Sequence, residues 1–598
     1  MQESVAVCPC ARFTIRTFGC KVNQYDSQLL AEQLRALGLR FVDDRSSPAG
    51  VQADGHPRCP GGVGENLLHA VGVTGREAAA TGAEPLWGGR QADGADEAVG
   101  PRAAGACDSV DLVVVNTCAV TARSEAKARR LVRWLLRSYP HATVVLTGCA
   151  VRLDRRPWEA IGRDGARPDE AGRGTTSARL LLVPSPEEVP RRLVEAGLVA
   201  TGGLSPGPSA SVSVPRPSNE TLTPTPTRRG SQGERARVRV SVGHPNRISG
   251  FLGHDRAFVK VQDGCQAFCS YCVVPLVRPG LWSRPADAVV EEVRALSEAG
   301  YGEVVLVGVH LGLYAGETAA AGEDADGGGR TPNLAGLIRR LLAETDVGRL
   351  RLSSIEPQEV TDDLIDLAAE SDRLCPHFHL PLQSGDDTVL RAMNRRYTAR
   401  EYLGILEGIA RRIPRPAFTT DILLGFPGEG EAEFSRTLAA VREARFSRIH
   451  AFRYSPRPGT KAATLTRSAP EREVLRRERT LLALADELAR SYRTQFLGEV
   501  VEVLVERPAT ESPAEQEKGE RREETRPCPA QRLGSPQPQA FLAGLSERYL
   551  RVRFPRPEGL RVQPGSLVRV RVLSSDNTGL VGEWEPKMGV GERSGKKP

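Results

Sequence analysis

The chain has 598 residues, too many for one compact core, since domains typically contain about 100–200 residues. Its 60 glycines and 43 prolines, with a hydrophobic fraction of 40%, indicate that part of this length lies outside any core. A net charge of +7 suits a polyanionic partner, and no apolar run approaches the roughly 20 residues that span a bilayer. The twelve cysteines are too sparse for a secreted disulfide scaffold, so we expect a cytoplasmic protein, without a membrane segment, whose clustered thiols bind metal.

The first predicted domain covers residues 11–200 and alternates β-branched runs with amphipathic helical patterns. Strands are expected at 13–16, 112–116 and 143–146, and helices at 24–37 and 122–138. This alternation predicts an α/β fold with a parallel sheet. A segment at 44–108, rich in Gly, Ala, Asp and Pro, is interpreted as an insertion into this domain.

A Ser/Pro/Thr-rich linker at 201–250 leads into the second predicted domain, residues 251–490. Six strands, most of them separated by helical stretches, are expected at 258–261, 303–307, 350–353, 377–380, 419–423 and 449–452. This pattern predicts a partial (β/α)6 barrel. The last block, residues 498–583, has short alternating strands and predicts a small antiparallel β-barrel.

Three cysteines, named here the loop triad, form the motif Cys265-Gln-Ala-Phe-Cys269-Ser-Tyr-Cys272 directly after a predicted strand. Thiolates bind zinc or iron–sulfur clusters, but a structural zinc site closes with four ligands, and no fourth Cys or His stands at metal-site spacing nearby. Three ligands leave one iron of a four-iron cluster open, and this iron can bind S-adenosylmethionine (SAM) and reduce its sulfonium. The spacing is therefore typical of radical SAM enzymes.

A second set of cysteines, named here the sheet triad, consists of Cys20, Cys118 and Cys149. Each follows a predicted strand of the first domain by a few residues. Because the carboxyl ends of parallel strands meet at one edge of a sheet, the three thiols are expected to converge there as a second three-ligand site. Three small core cysteines are the alternative interpretation.

With these two triads in this order, the chain resembles the methylthiotransferase family of radical SAM enzymes. The segment 19–27, GCKVNQYDS, is similar to the subfamily that acts on N6-threonylcarbamoyladenosine in tRNA, because Lys21 and Val22 differ from the residues found there in the prenyl-adenosine and ribosomal-protein subfamilies. Further matches lie at 262–265, 308–312, 379–385, 420–429 and 454–457. The last block is similar to the family's TRAM domain, an RNA-binding β-barrel.

The resemblance implies two 4Fe–4S clusters, one on each triad. The loop triad would bind the cluster that cleaves SAM to a 5′-deoxyadenosyl radical, which removes hydrogen from carbon 2 of the adenine. The sheet triad would bind an auxiliary cluster that carries the sulfur, and a second SAM would supply the methyl group. The implied partners are tRNA and an electron donor such as flavodoxin or ferredoxin.

The resemblance also implies residues that contact SAM: Tyr271, Gln383, Ser384, Asp421 and Gly425. The turn at 425–429 could equally be an ordinary strand-to-helix turn. The histidines at strand ends are more often structural than catalytic, so we assign them no catalytic role.

Four arginines of the last block, Arg551, Arg553, Arg569 and Arg571, alternate with apolar residues. Period 2 places them on one face of their strands, and a basic barrel face suits an RNA backbone. A solvated sheet face would show the same alternation. The family resemblance favours tRNA binding.

Two residues depart from the family pattern, since Pro279 and Trp282 stand where the family usually has Gly and a basic residue.

Three other functions remain open on the sequence: methylthiolation of a ribosomal-protein aspartate, methylthiolation of prenylated adenosine in tRNA, and a non-catalytic iron–sulfur protein that binds RNA or transfers electrons.

Overall fold

The structure is a computed structural model that describes residues 11–42, 110–139, 141–164, 180–199, 247–251, 253–316, 333–466, 469–507, 541–557, 559 and 561–586. The predicted insertion at 44–108 and most of the predicted linker at 201–250 lie outside these residues. The described residues form an N-terminal sheet, a central half-barrel and a C-terminal closed barrel. No helix among them is both long and apolar enough to cross a membrane.

The N-terminal domain is a five-stranded parallel sheet in the order β2-β1-β3-β4-β5. Its strands are β1 (Arg12–Thr17), β2 (Arg40–Phe41), β3 (Leu112–Thr117), β4 (Thr143–Gly148) and β5 (Leu180–Leu182). Its helices are α1 (Lys21–Ala36), α2 (Ala122–Ser138), α3 (Cys149–Leu153), α4 (Arg156–Asp164) and α5 (Val189–Glu195). Alternate residues of β3 pack into two separate apolar clusters, one on each face of the sheet, so the whole strand is buried.

The predicted strands of this domain are confirmed, and so is the helix at 122–138. The first helix begins three residues earlier than predicted, immediately after Cys20. This early start matters for function because it places Cys20 at the amino end of a helix whose other residues reach the central domain.

The central domain is a half-barrel of six parallel strands. The strands are β6 (Ala257–Asp263), β8 (Glu303–Gly308), β9 (Arg349–Leu352), β10 (His377–His379), β11 (Ala417–Leu424) and β12 (Arg448–Arg453), with the short β7 (Trp282–Ser283) antiparallel to the end of β6. The helices are α6 (Val274–Val277), α7 (Ala286–Glu298), α8 (Leu334–Glu344), α9 (Asp362–Glu370), α10 (Asp387–Ala392), α11 (Ala399–Arg412), α12 (Glu431–Ala444) and α13 (Glu471–Thr494). A parallel bridge between Ser354 and His379 connects the β6-β8-β9 half to the β10-β11-β12 half. All six predicted strands are confirmed.

The C-terminal domain is a closed barrel in the order β13-β14-β15-β17-β16. Its strands are β13 (Val500–Glu506), β14 (Phe541–Ser546), β15 (Arg551–Pro555), β16 (Leu567–Ser575) and β17 (Leu580–Glu585). Four of the five strand pairs are antiparallel, as predicted, but β15 and β17 run parallel. Successive strands alternate in direction, so β15 and β17 point the same way, and closure makes them neighbours.

The C-terminal barrel packs against the amino end of the half-barrel. Arg349 and Arg351 of β9 are 1% exposed, share the carboxylate of Glu303, and donate to backbone carbonyls of the C-terminal barrel at 2.8–2.9 Å. Tyr549, held at a φ of 63°, stacks on the His377 ring with 4.9 Å between centroids. The strand order and pairing confirm the predicted α/β class and the small C-terminal barrel, whereas the limits of the three domains stay predictions.

Candidate functional site: two thiol triads

The loop triad lies at the carboxyl end of β6. The strand ends at Asp263, and Gly264 has a φ of 81° that favours glycine. A Cβ on Gly264 would lie 1.5 Å from the carbonyl oxygen of Gly280, so no other residue fits this turn. Burial raises the pKa of the Cys272 thiol to about 12, and the neighbouring Cys269 and Cys265 thiols add to the rise. The structure thus brings the three thiols of the motif together.

Two polar side chains that the sequence analysis did not single out as ligand neighbours contact the loop triad. The guanidinium of Arg395 donates to Cys269 Sγ at 3.4 Å, and His310 Nδ1 lies 3.4 Å from Cys265 Sγ. Burial disfavours the imidazolium form, but hydrogen bonds with Cys265 and Glu359 raise the pKa of His310 to about 10. A protonated ring beside a thiolate stabilises its negative charge.

A cavity of about 230 Å³ opens beside the loop triad. Cys269, His310, Glu356, Glu359 and Arg395 line it. Acidic and basic groups therefore face one small cavity next to a thiol, which suits a zwitterionic ligand. The residues predicted to contact SAM do not line this cavity.

The sheet triad lies at the carboxyl edge of three adjacent strands. Cys20 caps α1 after β1, Cys118 follows β3, and Cys149 begins α3 after β4. A Cβ on Gly19 would lie 3.0 Å from Cys118 Sγ, which shows how closely the first and second segments approach. Burial raises the pKa of the Cys118 thiol to about 12, with the Cys20 and Cys149 thiols adding to the rise. Cysteines far apart in the sequence thus converge, as the strand-end argument predicts.

Neither triad has the dimensions of a single-ion site. Zn–S bonds of about 2.3 Å place the sulfurs of a tetrahedral zinc site about 3.8 Å apart. Among the described residues, the only three ligand-type side chains whose donor atoms all lie within 4.8 Å of one another are His379, Asp421 and His450. The wider thiol triads, each with three soft ligands, fit iron–sulfur clusters with one open iron.

A buried ion network connects the two triads. Arg278, 6% exposed at its side chain, donates to both carboxylate oxygens of Asp263 at 2.8 and 2.6 Å, to Asn23 Oδ1 at 2.9 Å and to Asp26 Oδ2 at 2.7 Å. Lys260 pairs with the same two carboxylates. Asp263 precedes the loop triad by two residues, while Asn23 and Asp26 lie on the helix that starts after Cys20. This network therefore fixes one triad relative to the other.

The electrostatic effect of Arg278 extends to the sheet triad. Although Cys20 is exposed as a whole residue, desolvation by the surrounding protein raises the pKa of its thiol, and the Arg278 charge opposes this rise. A second cross-domain pair joins Arg457 of the central domain to Glu125 of α2 at 2.6 Å. The arginines that hold the domains together thus lie close to the cysteines.

The predicted SAM contacts occupy the β10-β11 side of the half-barrel. Tyr271 packs edge-on to Phe426, 6.3 Å between ring centroids, and Gln383, at a φ of 66°, donates its backbone N–H to the Asp421 carbonyl at 2.8 Å. The Gly425 N–H donates to Glu429 at 3.1 Å. The Ser384 hydroxyl is buried against Thr437 and accepts from the Asp386 N–H, so this side chain points away from the lumen.

The C-terminal arginines face outward as predicted, and two are already paired. Arg553 binds Asp576, and Arg571 donates to Glu585 at 2.8 Å. Arg551 and Arg569 are exposed. Internal pairing thus partly neutralises this predicted RNA surface.

A second basic surface, not recognised in the sequence, lies on α2, the helix that follows Cys118. Arg123, Arg130, Arg133 and Arg137 are exposed, and their spacing of 7, 3 and 4 residues places them on one helix face. Within the part of the chain that the structure describes, none of these four forms an ion pair. We call them the α2 basic face. The sequence could have predicted the α2 basic face, because the arginines follow helical periodicity.

Large exposed apolar side chains surround the cysteine loops. Phe268, within the loop triad, is 55% exposed, and Trp282, on β7, is 50% exposed. Leu281 and Leu313 line the cavity beside Cys269. Exposed aromatic groups beside a reactive site are typical of surfaces that bind unpaired nucleobases.

Residues 259–441 match the Radical SAM superfamily, and residues 97–163 match the uncharacterized protein family UPF0004. The chain is 30% identical over 496 residues to the threonylcarbamoyladenosine tRNA methylthiotransferase MtaB of Chlamydia pneumoniae, covering 83% of this chain and 87% of that protein. The chain belongs to the radical SAM methylthiotransferase family. It is an enzyme of the radical SAM tRNA methylthiotransferase type.

Other relatives of this methylthiotransferase differ in their identity to it and in the share of the chain that they cover. MtaB of Bacillus subtilis is 30% identical over 78% of this chain and 86% of that protein. The tRNA-2-methylthio-N(6)-dimethylallyladenosine synthase of Erythrobacter litoralis is 42% identical, but only over 42% of this chain and 54% of that protein. Among solved structures, the radical SAM methyltransferase TsrM of Kitasatospora setae aligns with a TM-score of 0.42 at 15% identity, covering 76% of this chain and 77% of that chain.

Proposed function

We propose that this methylthiotransferase adds a methylthio group to carbon 2 of N6-threonylcarbamoyladenosine beside the anticodon of tRNA, using two SAM molecules and two 4Fe–4S clusters. The observation that carries the proposal is the pair of three-thiol sites joined by the Arg278 network. The MtaB relatives, which match over most of their length, support the threonylcarbamoyl substrate more than the dimethylallyl synthases, which match over about half. The cytoplasm is the proposed location, and flavodoxin or ferredoxin the proposed type of electron donor.

The two triads have different proposed tasks. When bound, the clusters supply the electron that cleaves SAM at the loop triad and the sulfur that is inserted at the sheet triad. The protein contributes position: Gly264 allows the tight turn that leads into the loop triad, and the Arg278 network fixes the sheet triad relative to the loop triad. Arg395 and His310 neutralise thiolate charge at the loop triad.

The cavity beside Cys269 suits the amino acid end of SAM. Glu356 and Glu359 can accept hydrogen bonds from the ammonium group, while Arg395 can donate to the carboxylate. Tyr271, Gln383 and Gly425 on the opposite side remain the proposed contacts of the nucleoside end. Ser384 could contribute through its backbone, because its hydroxyl is buried against Thr437.

Two surfaces support RNA as the macromolecular substrate. The α2 basic face offers four exposed guanidinium groups along the helix that follows Cys118, and phosphates bind such a row. Phe268 and Trp282 offer apolar surface on which an unstacked base of the anticodon loop can stack. In this proposal Trp282, one of the departures from the family pattern, replaces a charge contact by a stacking contact. Arg551 and Arg569 of the C-terminal barrel are proposed as further contacts of the tRNA backbone.

The test compares single cysteine variants. Replacing Cys265 by Ala should abolish both 5′-deoxyadenosine release and tRNA modification under anaerobic reducing conditions, because the open iron is lost. Replacing Cys118 by Ala should preserve 5′-deoxyadenosine release while methylthiolated nucleoside, followed by mass spectrometry, disappears. Cys375→Ala is the control, since this buried cysteine belongs to neither triad.

Two results would contradict the proposal. If Cys118→Ala still methylthiolates tRNA, the sheet triad does not hold the sulfur-carrying cluster. If the parent enzyme modifies dimethylallyladenosine but leaves threonylcarbamoyladenosine unchanged, the substrate is wrong although the enzyme class stands.

A further inference from the structure

A compact cluster of His379, Asp421 and His450 lies inside the half-barrel and takes no part in the proposed reaction. The three residues stand on the neighbouring parallel strands β10, β11 and β12, where Asp421 is in register with His450. Asp421 Oδ1 lies 3.3 Å from His379 Nε2 and 3.1 Å from His450 Nδ1. All three donor atoms lie within 4.8 Å of one another.

The cluster faces the lumen of the half-barrel. On β11, Phe418, Ile422 and Leu424 pack into the core on the helix side, so the alternating Asp421 points the opposite way. Two residues further along, Leu423 shares an apolar cluster with Tyr271, the neighbour of Cys272. The His379 cluster therefore lies one layer deeper in the half-barrel than the loop triad.

Its side chains are reachable from the lumen. The exposed fraction is 12% for His379 and 23% for both Asp421 and His450. A cation that these side chains coordinate therefore keeps a further coordination position open toward the lumen. A water or a ligand oxygen can occupy such a position.

The distances match those of a small divalent cation. Zinc bonds to nitrogen and oxygen are about 2.0–2.2 Å long, so neighbouring ligand atoms of a tetrahedral site are about 3.3–3.6 Å apart. The two measured distances, 3.3 and 3.1 Å, are close to that range. Two imidazoles and one carboxylate are a common ligand set for zinc and for ferrous iron.

A second contact orients one ligand. The hydroxyl of Thr419 lies 2.9 Å from His379 Nδ1. Such a partner on the remote ring nitrogen fixes the imidazole and leaves Nε2 for the cation, as in many metal sites. Thr419 also lies 3.1 Å from His377 Nε2, so the same hydroxyl connects the cluster to the buried end of the half-barrel.

We propose that His379, Asp421 and His450 bind one divalent first-row transition cation, with an open coordination position toward the lumen for a water or a ligand oxygen. The site is separate from both thiol triads and does not depend on the proposed function. It gives Asp421 the role of a metal ligand in place of the direct SAM contact predicted from the sequence.

The test uses the full-length chain with its clusters reconstituted, so that the thiols are already occupied. The protein is incubated with zinc chloride, dialysed against metal-free buffer, and analysed for zinc and iron. The parent should retain about one zinc per chain, whereas Asp421→Asn and His450→Gln should each retain at least tenfold less zinc with unchanged iron. His141→Gln, at an exposed histidine outside the cluster, is the control and should match the parent.

X-ray absorption at the zinc edge identifies the ligands, because nitrogen and oxygen lie at about 2.0 Å and sulfur at about 2.3 Å. A shell of nitrogen and oxygen alone supports the site. The proposal is overturned if the parent retains no such metal, if Asp421→Asn and His450→Gln both retain as much as the parent, or if the zinc has sulfur neighbours. In those cases the two imidazoles simply donate hydrogen bonds to Asp421.

Discussion

Replacing Arg278 by Gln should loosen the contact between the two thiol triads. The substitution removes the hydrogen bonds to Asp263, Asn23 and Asp26 and leaves the buried Asp26 and the partly buried Asp263 with Lys260 as their remaining cation. Removing one partner of a buried ion pair costs about 3–5 kcal/mol. Because Lys260 still compensates in part, we expect the lower value, about 3 kcal/mol, which is roughly a 150-fold change in an opening equilibrium.

Hydrogen exchange followed by mass spectrometry measures this opening directly. In Arg278→Gln, amides of α1 should lose roughly 150-fold in protection, because α1 carries Asn23 and Asp26. The core strands of the C-terminal barrel should be unchanged. Arg400→Gln, at an exposed arginine of α11, should behave like the parent. Unchanged protection of α1 in Arg278→Gln would refute the view that this network joins the domains.

The same variant should change the pH dependence of cluster assembly at the sheet triad. Thiol ligands bind iron as thiolates, so a higher thiol pKa weakens binding at a given pH. Desolvation raises the pKa of the Cys20 thiol and the Arg278 charge opposes that rise, so removal of this charge should shift cluster assembly at the sheet triad to higher pH. Iron per chain measured across a pH series would show this as loss of one cluster near neutrality. Equal iron in parent and variant at every pH would contradict the reasoning.

Three further predictions follow from the same geometry. Anaerobic reconstitution of the parent should give about eight irons per chain, and a well-folded sample with four would exclude a second cluster. Gly264→Ala should lose the loop-triad cluster and keep the other, leaving about four irons, because its Cβ would lie 1.5 Å from a carbonyl oxygen. Replacing Arg130 and Arg133 of the α2 basic face by Gln should weaken tRNA binding and flatten its logarithmic salt dependence by about 1.4–1.8, whereas Arg400→Gln should not.

Removal of the whole C-terminal barrel is a poorer test of RNA binding than single substitutions. The buried guanidinium groups of Arg349 and Arg351 donate to carbonyls of that barrel, and truncation would leave them without these partners. We therefore expect truncation to destabilise the half-barrel as well as to weaken tRNA binding. Arg551→Gln and Arg569→Gln change the exposed face alone, and unchanged tRNA affinity in the double variant would argue against an RNA role for this barrel.

The strands and the cysteine positions could be predicted because their signals are local. A run such as Leu112–Thr117 is continuously apolar until its end, and a cysteine that follows it must lie at the edge of the sheet. The neighbours of the thiols could not be predicted in the same way. Arg395 lies 126 residues from Cys269, and Arg278 lies 255 residues from Asn23, so no sequence spacing relates them.

Tyr549 shows the opposite case, in which tertiary contacts override a local pattern. The alternation of its sequence neighbours favours a strand, but β15 begins at Arg551, and Tyr549 takes a left-handed φ of 63°. Its ring stacks on His377 and lies within about 5 Å of the Arg351 guanidinium. Contacts to the half-barrel thus determine the conformation of a residue whose sequence neighbours favour a strand.

Charged groups connect the two triads, although apolar packing already holds the two domains together. Val22 and Tyr25 of α1 already share the apolar core of the half-barrel, and this burial supplies non-directional stabilisation. The bonds of Arg278 are directional: its planar guanidinium reaches both carboxylate oxygens of Asp263 on one side and two residues of α1 on the other. A Lys at this position keeps the charge but lacks the fork, so it should preserve thiolate stabilisation at Cys20 and lose orientation. Arg278→Lys should therefore assemble both clusters yet insert sulfur slowly, which separates positioning from electrostatics in a single substitution.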